Sequence, residues 1–112
     1  MVATWALVHP AVPPQPEIRY VIIHMPGPAW EKGVPPLEQK GLQEHVSHYA
    51  QLLTDGKLSL GGPFMDEVSG GMMIPEPGVS ESEIRAFAQS DPAVKSGLLT
   101  YHIRPWMSAL HK

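Results

Sequence analysis

The sequence contains no cysteine. This absence excludes disulfide bonds, thiolate nucleophiles and cysteine-based zinc sites. The sequence also lacks a continuous apolar run of about 20 residues, the length that a membrane-spanning helix needs. Its first residues have neither the basic start nor the cleavage pattern of a signal peptide. We therefore expect a soluble, cytoplasmic protein without a membrane partner.

Basic residues are few. Eight Lys and Arg stand against eleven Asp and Glu, which gives a formal net charge of -3, and no basic block is present that could follow a phosphate backbone. Nucleic acid is therefore not an expected partner. A chain of 112 residues, 43% of them hydrophobic, suffices for one core. We predict a proline-rich arm over residues 1–17 and one domain over residues 18–112.

Local sequence patterns predict six main elements. Short β-branched and aromatic runs that end at Pro or Gly indicate strands. Apolar residues at helical spacing, together with capping signals such as Ser80 followed by Glu83, indicate helices. The predicted strands are at 20–24, 58–60, 72–74 and 99–103, and the predicted helices lie at 41–55 and between Ser80 and Asp91. Asp91-Pro92 ends the second helix and can cap a short further turn, which Gly97 would terminate.

The order strand, helix, strand, strand, helix, strand indicates the fold class. It is the order of the ferredoxin-like α+β fold, in which both helices cover one face of a four-stranded antiparallel sheet. The first strand, however, is apolar on both faces, which is typical of a strand covered on both sides. We therefore expect a homodimer in which a second copy covers the other face of the sheet.

The first helix and the loop before it hold the candidate functional residues. Leu42, Val46, Tyr49 and Leu53 predict an apolar stripe, and His45 falls on the edge of that stripe. The loop over residues 25–40 is long and rich in Pro and Gly. Such loops are typically functional or mobile, and we expect this one to border a ligand site.

Several segments, taken in their order and spacing, resemble the YciI-related family and its GGPF branch over about residues 19–106. The resemblance implies a dimeric α+β barrel built from ferredoxin-like halves, and typical members of the family lack an arm before Glu17. The segments that carry it are Tyr20–His24 with Pro26-Gly27-Pro28, Glu44-His45, Asp55–Leu58, Gly61-Gly62-Pro63-Phe64, Asp66, Gly70–Met73, Asp91–Val94, Gly97-Leu98, Tyr101 and Pro105-Trp106.

The resemblance also implies an active site. The histidine proposed to be catalytic in the family maps onto His45, and an acidic residue after the GGPF strand maps onto Asp66. One branch of the family looks like lyases that act on hydroxylated, chlorinated aromatic rings. Relatives with DGPF in place of GGPF often accompany transcription factors, and Gly61 departs from that pattern.

His45 and Asp66 together would form a proton-transfer pair, since a carboxylate orients an imidazole and stabilises its charged form. Without the family, a histidine at the edge of a stripe is more often structural than functional. His24, at the end of the first strand, either binds a substrate oxygen or faces water. Phe64 and Trp30 would line an aromatic slot or belong to the core.

His48 lies three residues after His45, so the two side chains are neighbours on the helix, and this arrangement permits shared metal ligation with His24 or Asp66. The spacing matches no established zinc motif, and we expect no metal and no cofactor.

Two functions remain open at this point. The first is a cofactor-independent lyase or isomerase acting on a small cyclic or aromatic substrate. The second is a dimeric module that binds a small metabolite without turnover, because fold alone does not separate binding from catalysis.

Overall fold

The computed structural model describes residues 17–112, so the predicted N-terminal arm lies almost entirely outside the described residues. The secondary structure consists of four strands, three α-helices and one short 3-10 helix at Pro36–Glu38. The strands are β1 (Ile18–Pro26), β2 (Leu58–Pro63), β3 (Gly71–Pro75) and β4 (Leu99–Met107), and the helices are α1 (Leu42–Thr54), α2 (Glu81–Gln89) and α3 (Pro92–Lys95).

The strands form one antiparallel sheet in the order β2-β3-β1-β4. This order, with the helices after β1 and β3, confirms the predicted ferredoxin-like α+β fold. Strand β4 runs further than predicted and continues through Pro105, which lies opposite Tyr20. A proline is compatible with that position because β4 is an edge strand, where one side of the ladder has no strand to bond.

Helices α1 and α2 pack on one face of the sheet. Ile22 on β1, Tyr49 and Leu52 on α1, and Ile84 on α2 belong to one buried cluster. Because successive strand residues point to opposite faces, the neighbouring Ile23 faces away from the helices. The core is therefore a single layer between the helices and the sheet.

The buried face of α1 differs from the predicted stripe. His45, Tyr49 and Leu52 are the buried residues of the helix, whereas Val46 and Leu53 are 49% and 55% exposed. The predicted phase of the stripe was wrong because two apolar side chains near its border were counted as core. His45 consequently lies within the buried face of α1 rather than at its edge.

The helix starts agree with the capping signals in the sequence. The Ser80 hydroxyl accepts a hydrogen bond from the Glu83 N–H at the start of α2. The Asp91 carboxylate accepts one from the Ala93 N–H at the start of α3, where Pro92 occupies the first turn. Gly97 follows α3 with a φ of 80°, which ends the helical segment.

The two glycines at the end of β2 have different surroundings. The Met73 side chain occupies the space that a Cβ at Gly61 would need. A Cβ at Gly62 would meet nothing within 4 Å. Close packing is therefore found at Gly61 but not at Gly62.

Among residues 17–112, no helix is long and apolar enough to span a membrane.

Candidate active site

Four buried polar side chains meet between α1, the end of β1 and the start of α3. His24 comes from β1, His45 and Tyr49 come from successive turns of α1, and Asp91 is the N-cap of α3. Each of the four residues is at most 7% exposed. Polar groups buried to this extent are stable only when they are hydrogen-bonded, and the bonds they make define the chemistry of the cluster.

His45 and Asp91 form the shortest of these contacts. Nδ1 of His45 lies 2.6 Å from Oδ2 of Asp91, and Oδ1 of Asp91 accepts a hydrogen bond from the Ala93 N–H at 2.9 Å. Burial by itself raises the pKa of Asp91, but the hydrogen bonds from His45 and from Ala93 outweigh it and hold the pKa below its usual range.

The ionised Asp91 determines which ring nitrogen of His45 carries a proton. A carboxylate only accepts hydrogen bonds, so Nδ1 of His45 must donate. In the neutral ring, Nε2 then carries the lone pair and can accept a proton. The Asp91 carboxylate therefore acts on His45 as an orienting and charge-stabilising partner.

His24 is bound at both ring nitrogens. Nδ1 donates to the carbonyl oxygen of Thr100 over 3.1 Å, and Nε2 accepts from the Tyr49 hydroxyl over 2.8 Å. Burial, followed by the proximity of His45, lowers the pKa of His24 to about 4. Burial also raises the pKa of Tyr49. His24 and Tyr49 are thus a neutral hydrogen-bonded pair at neutral pH.

The three rings lie against one another. The ring centroids of His24 and His45 are 4.8 Å apart, and Tyr49 lies 5.4 Å from His24 and 5.2 Å from His45, all in edge-to-face geometry. Edge-to-face contacts of this length are favourable packing contacts. Together with the bond to Asp91, they fix the orientation of the His45 ring.

Asp66 does not take the place predicted for it. It is exposed in the connection between β2 and β3, and its carboxylate accepts a hydrogen bond from the Val68 N–H at 3.1 Å. The carboxylate bonded to His45 is that of Asp91, and the predicted pairing of His45 with Asp66 is corrected accordingly. The sequence marked Asp91 as a helix cap but gave no sign that it pairs with His45.

His48 makes a contact between two helices. Its Nε2 donates to the carbonyl oxygen of Phe87 at 2.7 Å, and its ring stacks on the Phe87 ring with centroids 3.9 Å apart. These contacts join α1 to α2, so packing between the helices accounts for a histidine at this position. A ligand contact of His48 stays a prediction.

The two predicted aromatic residues lie apart from the His45 cluster. Trp30 packs against a second small core formed by Ala93, Leu98 and Leu99. Phe64 is half-buried, and its N–H donates to the Gly70 carbonyl. Among the described residues, no hydrogen bond or ring contact joins either aromatic residue to His45. A role of Trp30 and Phe64 in substrate binding stays a prediction.

The loop between β1 and α1 is held in one shape. The amide of Gln39, which is only 4% exposed, accepts from the Glu31 N–H and donates to the carbonyl oxygens of Glu31 and Val34. The first part of the loop is fixed by hydrogen bonds from Gly27 and Ala29 to the segment before β4. These contacts hold the loop in a defined position.

Two clefts are bordered by this loop. One, of about 370 Å³, is lined by Ala29, Glu31, Lys40, Gly41, Glu44, Pro92, Ser96 and Leu98. Its lining includes Glu44 and Pro92, the chain neighbours of His45 and Asp91, but neither His45 nor Asp91 itself; we call it the cleft beside His45. The other, of about 440 Å³, is lined by Pro26, Trp30, Lys32, Gly33, Val34, Pro35, Glu67, Val68 and Ser69.

A metal ion fits the cluster poorly. Potential ligand atoms of His24, His45 and Asp91 lie within 4.8 Å of one another. Hydrogen bonds, however, occupy both nitrogens of His24, Nδ1 of His45 and both oxygens of Asp91. A cation held by all three residues would have to displace a hydrogen bond of His24, whose two nitrogens are both occupied.

Comparison with protein families gives one match, and it spans nearly all of the described residues. Residues 18–107 match the YCII-related domain. No curated protein matches the chain. The match begins at the first residue of β1 and ends at the last residue of β4, so it includes the whole sheet and the three helices. The chain belongs to the YCII-related domain family.

Proposed function

We propose that this protein is a cofactor-independent enzyme, a lyase or an isomerase, in which His45 moves a proton on a small molecule. The observation that carries the proposal is the buried hydrogen bond of 2.6 Å between His45 and Asp91. Because this bond holds a proton on Nδ1 of His45, Nε2 is the nitrogen that can accept a proton from the substrate. A histidine arranged in this way is suited to general acid–base catalysis near neutral pH.

Each member of the pair has a distinct role in the proposed reaction. Nε2 of neutral His45 takes a proton from the substrate and returns it to another atom of the substrate or to a leaving group. Asp91 keeps the proton on Nδ1 and stabilises the imidazolium that forms between the two steps. General acid–base catalysis by a positioned side chain contributes about 10²- to 10⁴-fold to a rate.

The cleft beside His45 is the proposed substrate site. Its volume of about 370 Å³ lies within the range of small-molecule sites. It is lined by Leu98 and Pro92 as well as by the charged residues Lys40 and Glu44. A small cyclic or aromatic substrate with a polar substituent suits this mixture, and the resemblance to lyases that act on hydroxylated, chlorinated aromatic rings supports the same class.

The test is a substrate screen followed by a comparison of two variants. On any substrate found, we expect His45→Gln to reduce kcat by at least about 100-fold, since the proton acceptor is removed. Asp91→Asn retains an oxygen that can cap α3 and should reduce kcat while shifting its pH dependence. The exposed His102→Asn is the matched control. Full activity in His45→Gln would refute the proposal.

The alternative function is metabolite binding without turnover. The observation that favours it is the small exposure of the His45 side chain, 9%, within a cluster whose buried polar atoms all have partners. Such a network also suits a purely structural role. A ligand that binds in the cleft beside His45 and is recovered unchanged after long incubation with the protein would favour this alternative.

We also propose that the chain acts as a homodimer. The support is the sheet face turned away from the helices, where the half-buried Ile23 on β1 and Met72 on β3 lie side by side next to the buried Val21. Leu60 and Trp106 at the margins of this face are 59% and 46% exposed. Apolar surface of this kind on a small domain is commonly covered by a second copy.

A further inference from the structure

The cleft of about 440 Å³ lies between two loops and shares no lining residue with the cleft beside His45. One wall is the loop after β1, and the other is the turn between β2 and β3. Pro26 forms its floor at the end of β1. The cleft is thus a separate concave site with a volume in the range of small-molecule sites.

The loop wall is fixed by a single buried side chain. The Gln39 amide bonds both the N–H and the carbonyl of Glu31, and also the carbonyl of Val34. These two residues flank Lys32, so the backbone that carries Lys32 is held at both ends. A wall that is formed in advance requires little ordering when a ligand binds.

The turn wall is also well defined. The Phe64 N–H bonds the Gly70 carbonyl and closes the turn, and the Asp66 carboxylate accepts from the Val68 N–H inside it. Ser69 has a φ of 66°, the one positive value found for a non-glycine residue among residues 17–112. Such outliers occur where the surrounding structure holds the backbone in place, and they are enriched at ligand sites.

The two walls carry opposite charges. Lys32 lies on the loop wall and Glu67 on the turn wall. Within residues 17–112, neither side chain takes part in an ion pair. Trp30, Val34 and Val68 also line the cleft. The lining therefore combines three apolar side chains with polar groups, among them one cation and one anion on different walls.

From this lining we infer that the cleft is a second small-molecule site, which takes a zwitterion with an apolar substituent, as in a free aromatic or branched amino acid. The carboxylate of the ligand pairs with Lys32, its ammonium group pairs with Glu67, and its side chain contacts Trp30 and the two valines. Charge-assisted hydrogen bonds to both ends would select against compounds that carry only one of the two charges.

The experiment is an NMR titration of the full-length protein with L-phenylalanine and L-leucine, which follows the indole N–H signal of Trp30. We expect a saturable shift of that signal. Lys32→Met and Glu67→Gln should each weaken binding by about tenfold, the loss that follows from removing one exposed charge contact. Lys95→Met and Glu38→Gln, which change exposed residues that line neither cleft, are the matched controls.

Two analogues distinguish the ends of the site. Phenethylamine lacks the carboxylate and should be insensitive to Lys32→Met, whereas 3-phenylpropionate lacks the ammonium group and should be insensitive to Glu67→Gln. Absence of a Trp30 shift with both amino acids, or equal binding by the Lys32 and Glu67 variants and the controls, would overturn the inference. The titration does not depend on His45, and His45→Gln should bind as the unmodified protein does.

Discussion

At the scale of single residues, His24 is the most constrained titratable group of the described chain. Its ring is 1% exposed and makes one hydrogen bond to a carbonyl and one to a hydroxyl. In the folded chain its pKa lies at about 4, below the ordinary value of 6.5. Between these two pH values the unfolded chain binds a proton that the folded chain does not bind.

The first prediction concerns acid stability. The free energy of unfolding should decrease as the pH falls from 6.5 towards 4, since proton uptake by the unfolded chain favours unfolding in that window. The contribution of His24 is on the order of 3 kcal/mol over the whole window. Urea unfolding at a series of pH values measures it.

The variant that isolates this effect is His24→Asn. It should lower the free energy of unfolding at neutral pH. Between pH 6.5 and 4 it should also reduce the slope of that free energy against pH by up to about 1.4 kcal/mol per pH unit, the value for one proton. The exposed Gln43→Ala, which removes no titratable group, should leave the slope unchanged. An unchanged slope in His24→Asn would show that the ring is not the group that titrates.

Sequence reasoning found one member of the proposed catalytic pair and missed the other. His45 was identified through the family resemblance, while its carboxylate was sought at Asp66. Asp91 follows His45 by 46 positions, and its own local pattern, Asp91-Pro92, is fully explained by capping. A contact between distant residues leaves no trace in local spacing, so only the three-dimensional arrangement reveals that one carboxylate has both roles.

At the scale of elements, the loop between β1 and α1 depends on Gln39. The side-chain amide accepts from the N–H of Glu31 and donates to the carbonyl of the same residue, as the backbone of a neighbouring antiparallel strand would. One buried side chain thus replaces a secondary-structure element as the support of the loop. The loop can in this way be long and rich in proline and still have a defined shape.

The second prediction is that Gln39→Ala loosens this loop. Three hydrogen bonds are lost, two of them to carbonyls, and the free energy of unfolding should fall by about 1–3 kcal/mol. Hydrogen exchange should become faster at the Glu31 amide and within residues 30–35. Gln43→Ala, an exposed change on α1, is the control. Unchanged exchange in Gln39→Ala would mean that other contacts hold the loop.

The elements themselves were largely predictable. The predicted helix at 41–55 is observed at Leu42–Thr54, and the capping signals at Ser80 and Asp91 mark the starts of α2 and α3. The strands are longer than predicted, because pairing with β1 extends β4 to Met107. The phase of α1 was wrong because burial depends on which neighbours pack against a helix, and the local pattern does not contain them.

At the scale of the whole molecule, the two faces of the sheet differ. The helices cover the face of the sheet on which Ile22 and Ile103 lie. The face of Val21 and Ile23 carries apolar side chains in its centre and the exposed His102 and Arg104 on β4. A domain of this size buries only part of its apolar surface by itself, and association is a common way to bury more.

The third prediction is therefore that Ile23→Arg disrupts the proposed dimer. A charge in the middle of an apolar interface would be buried without a partner, which is strongly unfavourable. Light scattering after size exclusion should give the mass of two chains for the unmodified protein and of one chain for the variant. Val46→Arg on the outer surface of α1 is the control. A dimer that survives Ile23→Arg would place the interface elsewhere.

The double role of Asp91 has a consequence for how this chain can change over evolutionary time. Because the same carboxylate caps α3 and orients His45, its loss damages folding as well as the proposed reaction. His45 can be replaced with less damage, since it supports no helix end. We therefore expect a descendant that has lost the reaction to keep the aspartate even after the histidine has been substituted. An aspartate at this position is thus weak evidence by itself that a relative is an active enzyme.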